Sequence, residues 1–181
     1  MTSTEKNLLK QHVKQYKEQR RHILLTSRFN NSTFQENANF RVKNPKIGCV
    51  YCSPDPISQQ INIDTVLFIL EMNNDTNKIT GIGMVRNHPQ INKYMVYNNR
   101  NYNRYVYVGK YRIDRNDMDE MEERVMKVFD HLCFKGTRHM KRGQGLKSFP
   151  VDMLYRCMKT MDLVKFISEM FKRKIDKENG E

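Results

Sequence analysis

Apolar positions recur at helical spacing over residues 4–26. Leu9, Val13, Tyr16, Ile23 and Leu24 mark one face, and Lys6, Lys10, Lys14, Lys17, Arg20 and Arg21 cover the other. Thr2 followed by Glu5 has the spacing of a capping box, so the chain is predicted to open with a basic amphipathic helix. Residues 28–44 carry scattered Phe29, Phe34 and Phe40 among asparagines and read as a polar connection. The pattern then turns to β. Short runs at 47–52, 65–72, 79–86, 93–97, 104–108 and about 110–113 are separated by turn signals such as Ser53-Pro-Asp-Pro56 and Asn73-Asn-Asp-Thr-Asn77. Gly81 and Gly83 inside one run point to a bulge or a close backbone approach.

Helical spacing returns at 116–132 through Met118, Met121, Val125, Val128, Phe129 and Leu132. Acids crowd the start of this helix and Gly136 stands ready to close it. A last periodic stretch runs from Met153 to Phe171 after Pro150, as one helix or two broken near Thr160, and the charged end from Lys172 is predicted to fray. The expectation is an α+β fold. A small twisted or closed, mainly antiparallel sheet packs with an N-terminal helix and two or three C-terminal helices. The regions are 1–30 (helix), 31–150 (core), 151–175 (helical segment) and 176–181 (tail).

Charge changes the picture. The 181 residues carry a formal +12, which favours a polyanionic partner, DNA or RNA. No acid lies between Asp130 and Asp152. The loop Phe134–Lys147 within that gap holds Lys135, Arg138, His139, Lys141, Arg142 and Lys147 around three glycines. Such a loop can aim main-chain N–H groups and cations together at phosphate. A second acid-free stretch, between Asp75 and Asp114, interleaves Arg104, Lys110 and Arg112 with tyrosines. If Val106 and Val108 face the core, Tyr105 and Tyr107 face out beside Arg104 and Lys110 and form a platform on which bases stack.

No catalytic signature occurs, and the glycine spacing is not that of a P-loop. The leading expectation is therefore a non-enzymatic nucleic-acid-binding protein without metal or cofactor. One competing reading is a metal-dependent nuclease using Asp64, Glu71 and Asp114 with His139 or Lys141. The other is an adaptor that docks another protein, or a second copy of the chain, through its terminal helices. Cys49 and Cys52 have half the spacing of a zinc site but lie in a predicted strand. With Cys133 and Cys157 they are expected to be free thiols. The longest apolar run, Val66–Leu70, is too short to span a bilayer, and the N-terminus lacks a signal-peptide core.

Three blocks together, residues 71–87, 103–115 and 134–145, resemble a family of uncharacterised proteins encoded by nucleocytoplasmic large DNA viruses, including amoeba-infecting giant viruses. The resemblance implies action in the cytoplasm or nucleus of an infected cell, or carriage in the particle as a virion component, and it makes the protein docked in the adaptor reading a host or viral one. It brings no catalytic residues with it. More loosely, the strand, hairpin and Gly81-Ile-Gly-Met-Val85 are similar to the strand pair of PUA, EVE or YTH-type barrels, which implies RNA or modified-base recognition. Those domains commonly use a tryptophan-containing cage, and this chain has no tryptophan.

Overall fold

The computed structural model describes residues 2–180. In order, the elements are α1 (Ser3–Gln19), β1 (Ile23–Phe29), α2 (Asn31–Lys43), β2 (Cys49–Ser53), β3 (Val66–Asn73), β4 (Lys78–Arg86), β5 (Gln90–Ile91), β6 (Tyr105–Gly109), β7 (Tyr111–Asp114), α3 (Glu120–Phe134), β8 (Leu146–Ser148), α4 (Val151–Cys157) and α5 (Leu163–Asn179). Five strands form one sheet in the order β7-β4-β3-β1-β8, and three form another in the order β2-β6-β5. Among the described residues only β1 and β3 run parallel; the other strand pairs are antiparallel. The chain crosses from the small sheet to the large one between β6 and β7, through Gly109 and Lys110. The two sheets do not close into a barrel among the described residues.

Period-two alternation explains the layers. Leu24, Phe68 and Leu70 face a core shared with Val125, Met126 and Phe129 of α3 and Ile167, Met170 and Phe171 of α5. Their neighbours Leu25, Leu67 and Ile69 face a second core with Tyr51, Val106 and Tyr107 of the small sheet. The central strands are thus covered on both sides, which is why β3 reads as a continuous apolar run.

Several expectations need correction. Residues 23–29 do not extend the first helix. They form a central strand, because Arg20 ends α1 in an extended conformation and the apolar run is needed between β3 and β8. Truncation before residue 27, which would isolate a detachable helix, would instead cut through β1. The polar connection contains α2, started by a reciprocal cap in which Asn30 accepts from the Thr33 N–H and Thr33 Oγ1 accepts from the Asn30 N–H. Its inward residue is polar: buried Asn37 donates to the Val50 carbonyl and the Tyr97 hydroxyl, so no apolar stripe marks the helix.

Residues 93–97 are not a strand. The buried Asn103 side chain accepts from the N–H groups of Val96 and Tyr97 and donates to the Tyr97 carbonyl, doing the pairing a neighbouring strand would do. The last helix holds through Asn179 rather than fraying from Lys172, and the break near Thr160 separates α4 from α5. All four cysteines are free. Burial pushes the Cys49 and Cys133 thiols up to about 12, so they sit in the core as neutral groups. No helix among the described residues is long and apolar enough to cross a membrane.

Candidate nucleic-acid interface

The basic loop is held in place by its backbone. After α3, the Met140 N–H donates to the Cys133 carbonyl at 2.7 Å and the Met140 side chain is buried. Arg28, near the end of β1, donates from Nε to the Met140 carbonyl at 2.6 Å, and Asn74 donates from Nδ2 to the Lys141 carbonyl at 3.2 Å. The chain then turns through Gly143 (φ 108°) and Gly145 (φ 63°) and enters β8, which pairs with β1. A Cβ at Gly145 would stand 2.1 Å from Ser53 Oγ, so glycine there meets both the left-handed backbone and the close approach.

Gly143, Gln144 and Gly145 form one wall of a cavity of about 350 Å³, within the size range of small-ligand clefts (~300–1,000 Å³). Tyr97, Asn99 and Tyr102 from the second acid-free stretch line the same cavity. Tyr97 and Tyr102 meet edge to face with ring centroids 6.4 Å apart. The end of β1 and the start of α2, including Asn30, Thr33 and Glu36, complete the lining. Aromatic rings beside amide and hydroxyl groups suit a flat heterocycle with polar edges.

Two buried polar atoms at this wall have no hydrogen-bonding partner within the protein: Arg28 Nη1 and Asn74 Oδ1. Burial also pulls the Arg28 guanidinium below its usual value. Orphans of this kind cost about 1–3 kcal/mol each. They are the sort of local penalty that a binding site carries.

The predicted residues divide. Lys135, Arg142 and Lys147 are exposed, Lys141 is half-buried, and the Lys147 side chain approaches Gly143 at the cavity rim. His139 is half-buried with its Nδ1 unpartnered. Arg138 is not free: it holds the Asp152 carboxylate in a two-pronged pair at 2.7 and 3.1 Å. That hydrogen bond raises the Arg138 pKa and holds Asp152 below the usual carboxylate range. A depressed carboxylate stabilises the fold above its unfolded pKa and loses that contribution as pH falls through its folded value. Arg138→Ala should therefore cost under about 1 kcal/mol at neutral pH, discounted for exposure, and still less in acid, as urea unfolding at the two pH values will show.

In the second stretch, Arg104 is exposed with its guanidinium 5.5 Å over the half-buried Tyr105 ring. Tyr107 does not face out. It is 1% exposed and its hydroxyl accepts from the Ile57 N–H, because the segment after β2 packs over this part of the face, on which Tyr105 stays half-buried. Lys110 lies over Tyr111 and 3.8 Å from Glu178. Arg112 is buried against Glu71 and Asp114 and cannot reach a ligand phosphate. The same pairing occupies two of the three acids proposed for a nuclease, while Asp64 meets His88 instead. No group of three or more metal-ligating side chains converges among the described residues.

Sequence reasoning passed over Arg28, Asn74, Asn99 and Gln144, and it counted Arg100 among the cations of the second stretch without choosing it as a site residue. The signal that could have found part of this set is the asparagine-rich run Asn98-Asn-Arg-Asn-Tyr-Asn103, a polar segment between the runs at 93–97 and 104–108. The two acid-free stretches do share a surface, since Gln144 of the loop also lines a depression with Arg100, Asn101 and Arg104. No protein-family model, curated protein or solved structure matches this chain.

Proposed function

We propose that the protein binds single-stranded nucleic acid without catalysis, seating one unstacked base in the cavity between the glycine loop and the Tyr97–Tyr102 wall. The observation that carries this reading is that both acid-free stretches contribute lining residues to one cavity of about 350 Å³. Lys135, Lys141, Arg142 and Lys147 supply the sequence-independent attraction, and the cavity's amides meet the edges of the base. The viral resemblance sets this binding in an infected cell.

The test is affinity for labelled single strands across a salt series. Neutralising roughly four to six phosphates gives a log–log slope of about −3 to −4 for a single strand. A flat dependence, or no binding at low salt, removes the proposal. Tyr102→Ala should weaken binding by about 1–3 kcal/mol through lost stacking, and Tyr102→Phe should retain it. Equal losses from both would assign the effect to the hydroxyl and not to the ring.

A further inference from the structure

The depression beyond Gln144 shares that residue with the base-sized cavity. One turn of 3-10 helix, Arg100–Asn103, stands between the two hollows: Asn99 and Tyr102 line the cavity, while Arg100, Asn101 and Arg104 line the depression. Arg100 and Arg104 are both exposed, and neither has an ion-pair partner among the described residues. Stacking of Arg104 on Tyr105 fixes the guanidinium without neutralising it. Asp55 is the one acid in the lining, so the two arginines leave the hollow net positive.

We propose that Arg100 and Arg104 form a phosphate subsite for the backbone adjoining the base in the cavity, so that the protein takes a nucleotide within a strand in preference to a free nucleoside. This rests on the base-seating reading above. A base and its neighbouring phosphate are joined by one sugar, and the two hollows share Gln144 and draw lining residues from the same short stretch, Asn99–Arg104. Guanidinium groups bind phosphate through paired N–H donors, and such contacts set the register of the strand while the base contacts select it. Gln144, exposed between them, has an amide suited to the linking sugar or phosphate oxygens.

The experiment follows fluorescence anisotropy of a labelled mixed-sequence single strand, with RNA and DNA in separate arms, over a salt series. Arg100→Glu with Arg104→Glu is compared with Lys165→Glu with Lys172→Glu, which makes the same change in net charge on α5, packed on the helical face of the large sheet. The Arg pair should lose about tenfold or more in affinity, and its salt slope should become shallower by about 1.4, two phosphates at ~0.7 each. The lysine pair should change the slope far less. Because both arginines are exposed, an unchanged thermal midpoint will show that the fold is intact. If the arginine pair behaves like the lysine pair while Tyr102→Ala still weakens binding, the phosphate subsite is wrong and the base cavity stands. If the arginine pair weakens binding and Tyr102→Ala does not, no base is seated and the subsite as proposed falls with that reading. No binding by the unaltered protein overturns both.

Discussion

Replacing Arg112 by alanine will cost about 3–5 kcal/mol of folding stability, although the residue belongs to the stretch whose cations suggested phosphate binding. Its Nε and Nη2 donate to the two oxygens of Glu71 at 2.9 and 2.7 Å, and its Nη1 donates to Asp114 at 2.7 Å. The Arg112 and Glu71 side chains are 8% and 2% exposed. Tyr51 reaches across from the small sheet to donate its hydroxyl to the same carboxylate at 2.7 Å. Two glycines make room for this cluster. A Cβ at Gly81 would stand within 2.9 Å of both Arg112 and Glu71, and one at Gly83 would stand 2.0 Å from the Tyr51 hydroxyl oxygen.

Removing the guanidinium leaves a buried carboxylate without its counter-charge, which is why the loss is large although the intact pair need not be strongly stabilising. Arg112→Leu combined with Glu71→Leu should therefore recover much of the stability lost in Arg112→Ala. Acid dependence gives a second readout. Burial alone would push the Asp114 carboxyl up, but the hydrogen bonds from Arg112 and the Asn116 N–H, together with the nearby positive charge of Arg112 and Arg41, outweigh it and hold the carboxyl below the usual range. Its contribution is present above the unfolded carboxylate pKa and is lost as pH falls through the depressed folded value. Arg112→Ala should accordingly lose less stability between neutral and acid pH than the unaltered protein. A loss below about 1 kcal/mol at neutral pH would falsify the view that this pair is an internal clamp.

The parts of the fold that could be read from sequence are those whose apolar residues mark a period. Strands β3, β4, β6 and β7, helix α3 and the break between α4 and α5 all carry such a mark. Where polar side chains do the structural work, the pattern is silent. Asn37 is the buried residue of α2, and Asn103 takes the place of a strand along Val96 and Tyr97. Strand β1 was hidden for a different reason, since Ile23 and Leu24 happen to continue the spacing of the preceding helix.

The same division holds for the site. The loop's charge and glycines are local properties and could be read directly. Its partners could not, because Arg28 and Met140 lie 112 positions apart and Asn74 and Lys141 lie 67 apart. Charge counting also treats every arginine alike. Arg112 and Arg138 are committed to acids at 114, 71 and 152, and only the fold shows that Arg100, Arg104 and Arg142 are exposed without an ion-pair partner among the described residues.

Gly109→Ala should abolish stable folding or cost at least about 3 kcal/mol, the upper end of what overpacking usually exacts, and binding should be lost with it. Gly109 is the last residue of β6, at the corner where the chain leaves the small sheet for the large one. An added Cβ would stand 2.0 Å from the Met84 carbonyl oxygen and 2.9 Å from Cys49 Sγ. The first is backbone of a central strand and has no rotamer by which to yield. Gly48 meets the same corner from the other side, donating its N–H to the Gly109 carbonyl at 2.9 Å. Pushing the corner open displaces β6, whose N-terminal end carries Arg104, Tyr105 and the turn that lines both hollows. Gly136→Ala is the control. It also adds one methyl to a glycine, at φ 76°, but no atom lies within 4 Å of the new carbon, so only backbone strain of about 1–2 kcal/mol is expected. Thermal unfolding and strand binding of the two variants, measured side by side, separate these causes. Similar losses in both would mean that the close approach at Gly109 costs no more than left-handed strain does at Gly136, and the crowding argument for this corner would fall.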